Sequence, residues 1–280
     1  MKRRQFIQTA GASAIGAIAG FSLFQQDRTV QAQTGSISVE WLGHTCFYIT
    51  GGGMRVLVNP YKAAGCTAGY NTSFPTADIV LITSQLFDEG YVENLKGDPT
   101  ILWQAGQYSL KNTSFNGISM DHANLERYRG WRFPTNVAWS WTQGGVNILH
   151  LGGAGEEVDI DDFILSGGSP DLLMIPVGGT DAYVDASSES PVFPPKGYKP
   201  EQAVKALDLL APKVIIPTHY LTKAADDSCR LNPVEKFVDL IDRESTTVTN
   251  LSANKMQFSA SNLAKMTKPD VKVFSDRPLL

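Results

Sequence analysis

The chain has 280 residues, of which 42% are hydrophobic and 19% charged, ordinary values that set aside disordered and fibrous classes and allow one large domain or two small ones. Its formal charge is −4. That acidic balance gives a nucleic-acid surface little support.

At the N-terminus, Lys2, Arg3 and Arg4 precede Phe6 and Ile7, and an uncharged run rich in Ala and Gly follows from Ala10 to Phe24. This is the architecture of an export signal. Paired arginines followed one residue later by Phe-Ile resemble the twin-arginine class, which carries folded proteins. Val30-Gln31-Ala32 offers small residues to a signal peptidase, so residues 1–32 are expected to be a removable leader and 33–280 a single domain. The expected destination is the periplasm or the thylakoid lumen. An uncleaved anchor is the weaker reading, because the run is shorter and more Gly-rich than the roughly 20 apolar residues of a span. No later segment has the pattern of a transmembrane helix. Cleavage would remove Lys2, Arg3, Arg4 and Arg28 against Asp27 alone, leaving a more acidic mature chain.

Past the leader, strands are expected at Ser38–Trp41, Cys46–Thr50 and Arg55–Val58, the last two joined by Gly51-Gly52-Gly53, a turn that needs positive φ. Asp78–Thr83 and Thr100–Trp103 read as buried strands, and Ile118–Met120, Val137–Thr142 and Val146–Leu151 as a meander turning at Gln143-Gly144-Gly145. Leu172–Val177 follows. Then comes a helix over Pro200–Leu210, with Pro200 and Glu201 in its first turn and Ala203, Ala206, Leu207 and Leu210 at helical spacing. Val214–Pro217 and Met256–Ser259 read as further strands. Two strand groups with helices between them predict an α/β fold of two sheets with helices outside. The segment Asp181–Lys199, rich in Pro, Ser and Gly, reads as a lid or partner-binding loop.

The three cysteines lack metal-site spacing. An exported compartment permits one disulfide among Cys46, Cys66 and Cys229 and leaves an odd thiol. Cys46, inside an apolar strand, reads as a small core residue, and a pairing of Cys66 is the less favoured expectation.

Six segments then carry a resemblance in family order: Trp41-Leu42-Gly43-His44, Val56-Leu57-Val58-Asn59-Pro60, Leu81-Ile82-Thr83, Ile148-Leu149-His150-Leu151-Gly152-Gly153, Asp171 through Gly179, and Ile215-Ile216-Pro217-Thr218-His219-Tyr220. The chain resembles the metallo-β-lactamase superfamily, and within it the L-ascorbate-6-phosphate lactonase-like metal-dependent hydrolases, over roughly Ser38 to Tyr220. The resemblance implies an αββα sandwich with a cleft that holds two metal ions in active members. There, the third segment runs into His-x-His-x-Asp-His, whose residues face the metals from one side. Here Ser84, Leu86 and Glu89 stand where three histidines would be, and only Asp88 is kept. Of the remaining ligand positions, His122 and His219 match, whereas Gly153 stands where the bridging aspartate would be. Leucine has no donor atom, and glycine removes the carboxylate that neutralises two cations. Asn59 replaces an aspartate that supports the ligand loop.

These departures imply that the dinuclear site is largely lost. Asp88, Glu89 and His219 could still hold one Zn²⁺, Mn²⁺ or Fe²⁺ ion. Against that, Asp88 reads as the cap of a following helix with Glu89 in its first turn. His122 reads as a polar wall of the old pocket, and His44 and His150 as hydrogen-bonded scaffold histidines lining it with Asn59. A Ser84–His219–Asp88 triad lacks the surrounding Gly-x-Ser-x-Gly of a displayed nucleophile. The aromatics Tyr128, Trp131, Phe133, Trp139 and Trp141, with Arg127, Arg129 and Arg132, read either as a groove for a ligand or as core strand faces with surface arginines. The leading expectation is an exported family member, without a required cofactor, that binds a small molecule or a protein partner or serves in assembly. Its rival is a hydrolase of an ester, lactone or phosphoester on the reduced one-ion site.

Overall fold

Alternation and apolar runs set the strands of the computed structural model, which describes residues 35–93, 95–121, 135–181, 183–184, 191–193 and 197–276. The leader, His122, the stretch Tyr128–Phe133 and most of the expected Asp181–Lys199 loop lie outside the described residues. In chain order the strands are β1 (Ser36–Gly43), β2 (Cys46–Gly51), β3 (Met54–Val58), β4 (Ile79–Leu81), β5 (Thr100–Leu102), β6 (Gly106–Leu110), β7 (Thr113–Asp121), β8 (Thr135–Gln143), β9 (Val146–His150), β10 (Leu172–Pro176), β11 (Tyr183–Val184), β12 (Pro191–Phe193), β13 (Val214–Thr218), β14 (Thr247–Asn250), β15 (Lys255–Ser259) and β16 (Asp270–Val273). The helices are α1 (Ile160–Leu165), α2 (Pro200–Leu210), α3 (Glu235–Val238) and α4 (Ala260–Leu263).

Two mixed sheets result, one ordered β15-β1-β2-β3-β4-β5 and the other β14-β16-β13-β10-β9-β8-β7-β6, beside a small β11-β12 pair. Their facing sides form one core, with Val39, Trp41, Phe47 and Val56 from the first sheet against Phe115, Trp139, Trp141, Ile148 and Ile215 from the second. Burying each such side chain stabilises the fold by about 1.5–3 kcal/mol. Trp139 and Trp141 are therefore core residues, with their indole N–H groups donating to the Ile82 carbonyl at 2.9 Å and to Gln143 Oε1 at 3.2 Å. The β2–β3 turn needs glycine for a tertiary reason as well: a Cβ on Gly52 would lie 2.6 Å from the backbone nitrogen of Gly144, in the β8–β9 turn of the other sheet.

The outer layers differ. On the second sheet's side, α2 starts with Pro200, buries Ala203, Ala206 and Leu210, and packs with α1 and α3. The first sheet's outer face, at Leu42, Leu57, Val80 and Ile82, is covered instead by Tyr61, Tyr70 and Phe74 of the segment after β3. The helix expected after Asp88 is not formed. Leu86 to Gly90 make a turn, with Glu89 and Gly90 N–H groups both donating to the Leu86 carbonyl, at 3.1 and 2.8 Å.

The preferred expectation for Cys66 also needs correction, since it forms a disulfide with Cys229, while Cys46 is free and buried. Backbone pairing brings the two loops together, Gly69 N–H to Ala224 O at 2.7 Å and Asp226 N–H to Gly65 O at 3.0 Å. The Cα atoms are thereby set 4.8 Å apart, within bonding range. Among the described residues, no helix is long and apolar enough to cross a membrane.

Candidate functional site

Strand direction decides which loops meet. β1 and β3 both run antiparallel to β2, and β3 runs parallel to β4. The chain therefore leaves all three at one edge, delivering His44, Asn59 and Ser84 through Glu89. In the second sheet β9, β10 and β13 are mutually parallel, and they deliver Gly152, Gly153 and His219. Ligand sites of α/β sheets form at such carboxyl-end edges.

The floor of this edge is a closed hydrogen-bond layer. Asn59, fully buried, donates through Nδ2 to the hydroxyls of Thr45 at 3.0 Å and Thr83 at 2.8 Å, and its Oδ1 accepts the Thr83 N–H at 2.8 Å. One amide thus joins the ends of β1, β3 and β4. His150 donates from Nε2 to the Thr45 carbonyl at 2.9 Å, and its Nδ1 accepts the Gly152 N–H at 2.9 Å, which makes it a neutral ring. Burial pushes its pKa down to about 4, outweighing the bond to the Thr45 carbonyl, which favours the protonated ring. Asn136 continues the layer, donating to the Leu151 carbonyl at 2.9 Å and accepting the Gly153 N–H at 3.2 Å.

Above this floor lies a second group. His44, Glu89 and His219 each bring one ligand-type atom to within 4.8 Å of the others, and all three are buried, at 1%, 0% and 2% exposure. The rings of His44 and His219 lie 4.5 Å apart between centroids. His219 Nε2 stands 3.9 Å from Glu89 Oε1, and His44 Nε2 stands 3.8 Å from Asp88 Oδ2. Ser84 donates its hydroxyl proton to Glu89 Oε2 at 2.8 Å, which orients the carboxylate. Trp41 Nε1–H donates to the His44 carbonyl at 3.0 Å and holds that backbone. On its far side His219 abuts Gly197, where a Cβ would lie 2.7 Å from Nδ1. Only glycine leaves room for the ring there.

The residues singled out from sequence are therefore divided. Asp88, Glu89 and His219 do not converge as closely as His44, Glu89 and His219; Asp88 faces His44 and is partly exposed. Ser84 gives its proton to Glu89, so a Ser84–His219–Asp88 triad is not built. Leu86 lies half-buried in the turn, and Gly153 offers its backbone N–H to Asn136. His122 lies outside the described residues. Sequence reasoning did not group His44 with the carboxylates. The available signal was topological, because a residue after β1 reaches the same edge as those after β3 and β4.

A model of the beta-lactamase superfamily domain matches residues 38–219. A UPF0173 metal-dependent hydrolase of Thermus thermophilus is 26% identical over 205 residues, which cover 66% of this chain and 84% of that protein. Another from Pyrococcus furiosus is 24% identical over 212 residues, covering 66% and 85%. Among solved structures, a metallo-beta-lactamase superfamily protein from Thermotoga maritima is similar at a TM-score of 0.61 and 23% identity, over 86% of this chain and all of that one, a likeness of fold alone. The matched span runs from β1 to His219, so that both the floor layer and the His44–Glu89–His219 group fall inside it, and the chain belongs to the beta-lactamase superfamily.

Proposed function

We propose that the chain is an exported member of this family that has given up two-metal hydrolysis and uses its cleft to bind a small molecule or a protein partner. Its relatives are named metal-dependent hydrolases, and the residues at the ligand positions decide whether that chemistry fits here. The observation that carries the reading is the donor set. Ser84 has committed its hydroxyl to Glu89, Leu86 carries no donor atom, and Gly153 turns only an N–H, bound to Asn136, into the cleft. A pair of divalent ions needs a bridging carboxylate and several imidazoles. These residues do not fit that requirement, and no hydrolytic step through two ions is derived. The ligand-type atoms that lie within 4.8 Å of one another come from His44, Glu89 and His219, which favours this reading over a one-ion hydrolase built on Asp88, Glu89 and His219.

Export is supported by the Cys66–Cys229 disulfide, because such bonds persist in oxidising compartments and are rare in reducing ones. It agrees with the twin-arginine leader and with delivery to the periplasm or thylakoid lumen. Replacing Arg3 and Arg4 together by Lys should hold the precursor in the cytoplasm; normal export of that variant would contradict the assignment. For the cleft, turnover of nitrophenyl esters, lactones and phosphodiesters by metal-replete protein should match that of its Glu89→Gln variant. Turnover that rises as a second equivalent of metal binds would contradict the loss of two-metal chemistry.

A further inference from the structure

We infer that the cleft holds a single divalent transition cation through His44, Glu89 and His219, a set that brings in a histidine from outside the ligand positions named above. The inference rests on the reading that the two-metal site is gone and adds what has taken its place.

Two imidazoles and one carboxylate are the donors that suit Zn²⁺, Mn²⁺ or Fe²⁺, and three protein ligands leave a position for water or an anionic oxygen of a ligand. The separations agree. A charge-assisted hydrogen bond between His219 and Glu89 would be about 2.7–2.9 Å long, whereas Nε2 and Oε1 are 3.9 Å apart. Two ligand atoms on one tetrahedral ion, each bonded at about 2.0–2.2 Å, stand about 3.4 Å from one another. A small rotation of either side chain reaches that value.

Burial points the same way. Glu89 is completely buried, and a carboxylate taken out of water needs a strong compensating charge. Ser84 fixes Glu89 Oε2 and leaves Oε1 toward His219, the arrangement by which an outer hydroxyl orients a ligand. Asp88 Oδ2 lies 3.8 Å from His44 Nε2, beyond hydrogen-bond reach. Both histidines also sit at left-handed backbone angles, φ 54° for His44 and 51° for His219. This conformation is unfavourable for any residue with a Cβ and is retained where a side chain is needed at a fixed point. The position left open on a bound dication takes an oxygen donor, water or a ligand's carboxylate or phosphate oxygen.

The test is titration of metal-free full-length mature protein with Zn²⁺ by calorimetry, followed by X-ray absorption at the zinc edge on the unmutated adduct. One equivalent should bind, with two imidazoles and a carboxylate around it. His44→Ala and Glu89→Gln should each weaken binding by 100-fold or more, and Ser84→Ala by about tenfold. The absorption measurement needs no variant, so it decides the matter even if His44→Ala fails to fold. No binding would overturn the one-ion site and leave the proposed loss of two-metal chemistry standing. One equivalent with a single imidazole, or one indifferent to His44, would also overturn it by placing the ion elsewhere. Two equivalents would overturn both this inference and the reading beneath it.

Discussion

The Asn59 layer and the His44 cluster share one cleft, yet they are joined by different contacts. Asn59 reaches Thr45 and Thr83 at 3.0 and 2.8 Å, and His150 reaches Thr45 at 2.9 Å. In the cluster, histidine nitrogens and carboxylate oxygens stand 3.8 and 3.9 Å apart. The first layer spends its donors on its own acceptors and is finished as a structure. The second gathers buried donors around a point, which is how a site for an outside ligand is built. The contrast separates a hydrogen-bonded layer from a group of buried ligand-type atoms.

The largest effect is expected where the two regions are tied together. The Cys66–Cys229 bond joins the loop after β3 to the loop after β13 and closes 163 residues of chain. Replacing both cysteines by Ser should cost about 5 kcal/mol by chain entropy, read by denaturant unfolding. A cost near zero would mean that the loops hold each other without it. Next, Asn59→Leu strands the Thr83 N–H and two hydroxyls and should cost about 4 kcal/mol. A variant within 1 kcal/mol of the parent would show that the floor is not the closed layer described.

His150 gives that layer a pH signature. The ring takes up a proton near its ordinary 6.5 when unfolded and only near 4 when folded. Between those values the unfolded chain binds more protons, so stability falls as pH drops from 6.5 toward 4, by about 3 kcal/mol, and no further below. His150→Gln should flatten this part of the profile relative to the parent, and an unchanged slope would reject the neutral buried ring. The smallest effect belongs to the cluster. Without metal, Glu89→Gln should stay within about 1 kcal/mol of the parent or gain stability, because it removes the cost of burying a charge. A loss as large as that of Asn59→Leu would make the cluster a second structural layer and end the contrast.

Much of the sandwich was legible because its central strands are apolar runs, as at Leu172–Pro176 and Val214–Thr218, all of whose residues are buried. The helix at Pro200 announced itself by its first turn. Edge strands were not: β6 and β14 are short and mostly exposed, so no face of theirs had to be apolar. The segment after Ser84 looked helical because Asp88 and Glu89 suit a first turn. The fold instead turns the chain back on Gly90, where a Cβ would lie 2.0 Å from the Ser84 carbonyl oxygen, and so brings Glu89 against Ser84. The disulfide was hidden by distance in sequence, since three cysteines permit three pairings and only the loop pairing selects one. For the site, Glu89 and His219 could be found by position in a motif. Grouping them with His44 needed the strand directions, because a contact between residues 44 and 219 is a tertiary fact.

The number of metal ions this cleft carries is measured most directly by anomalous diffraction at the metal edge on protein isolated from its native source. One peak is predicted, bonded to His44, Glu89 and His219. Two peaks a few ångströms apart would contradict it.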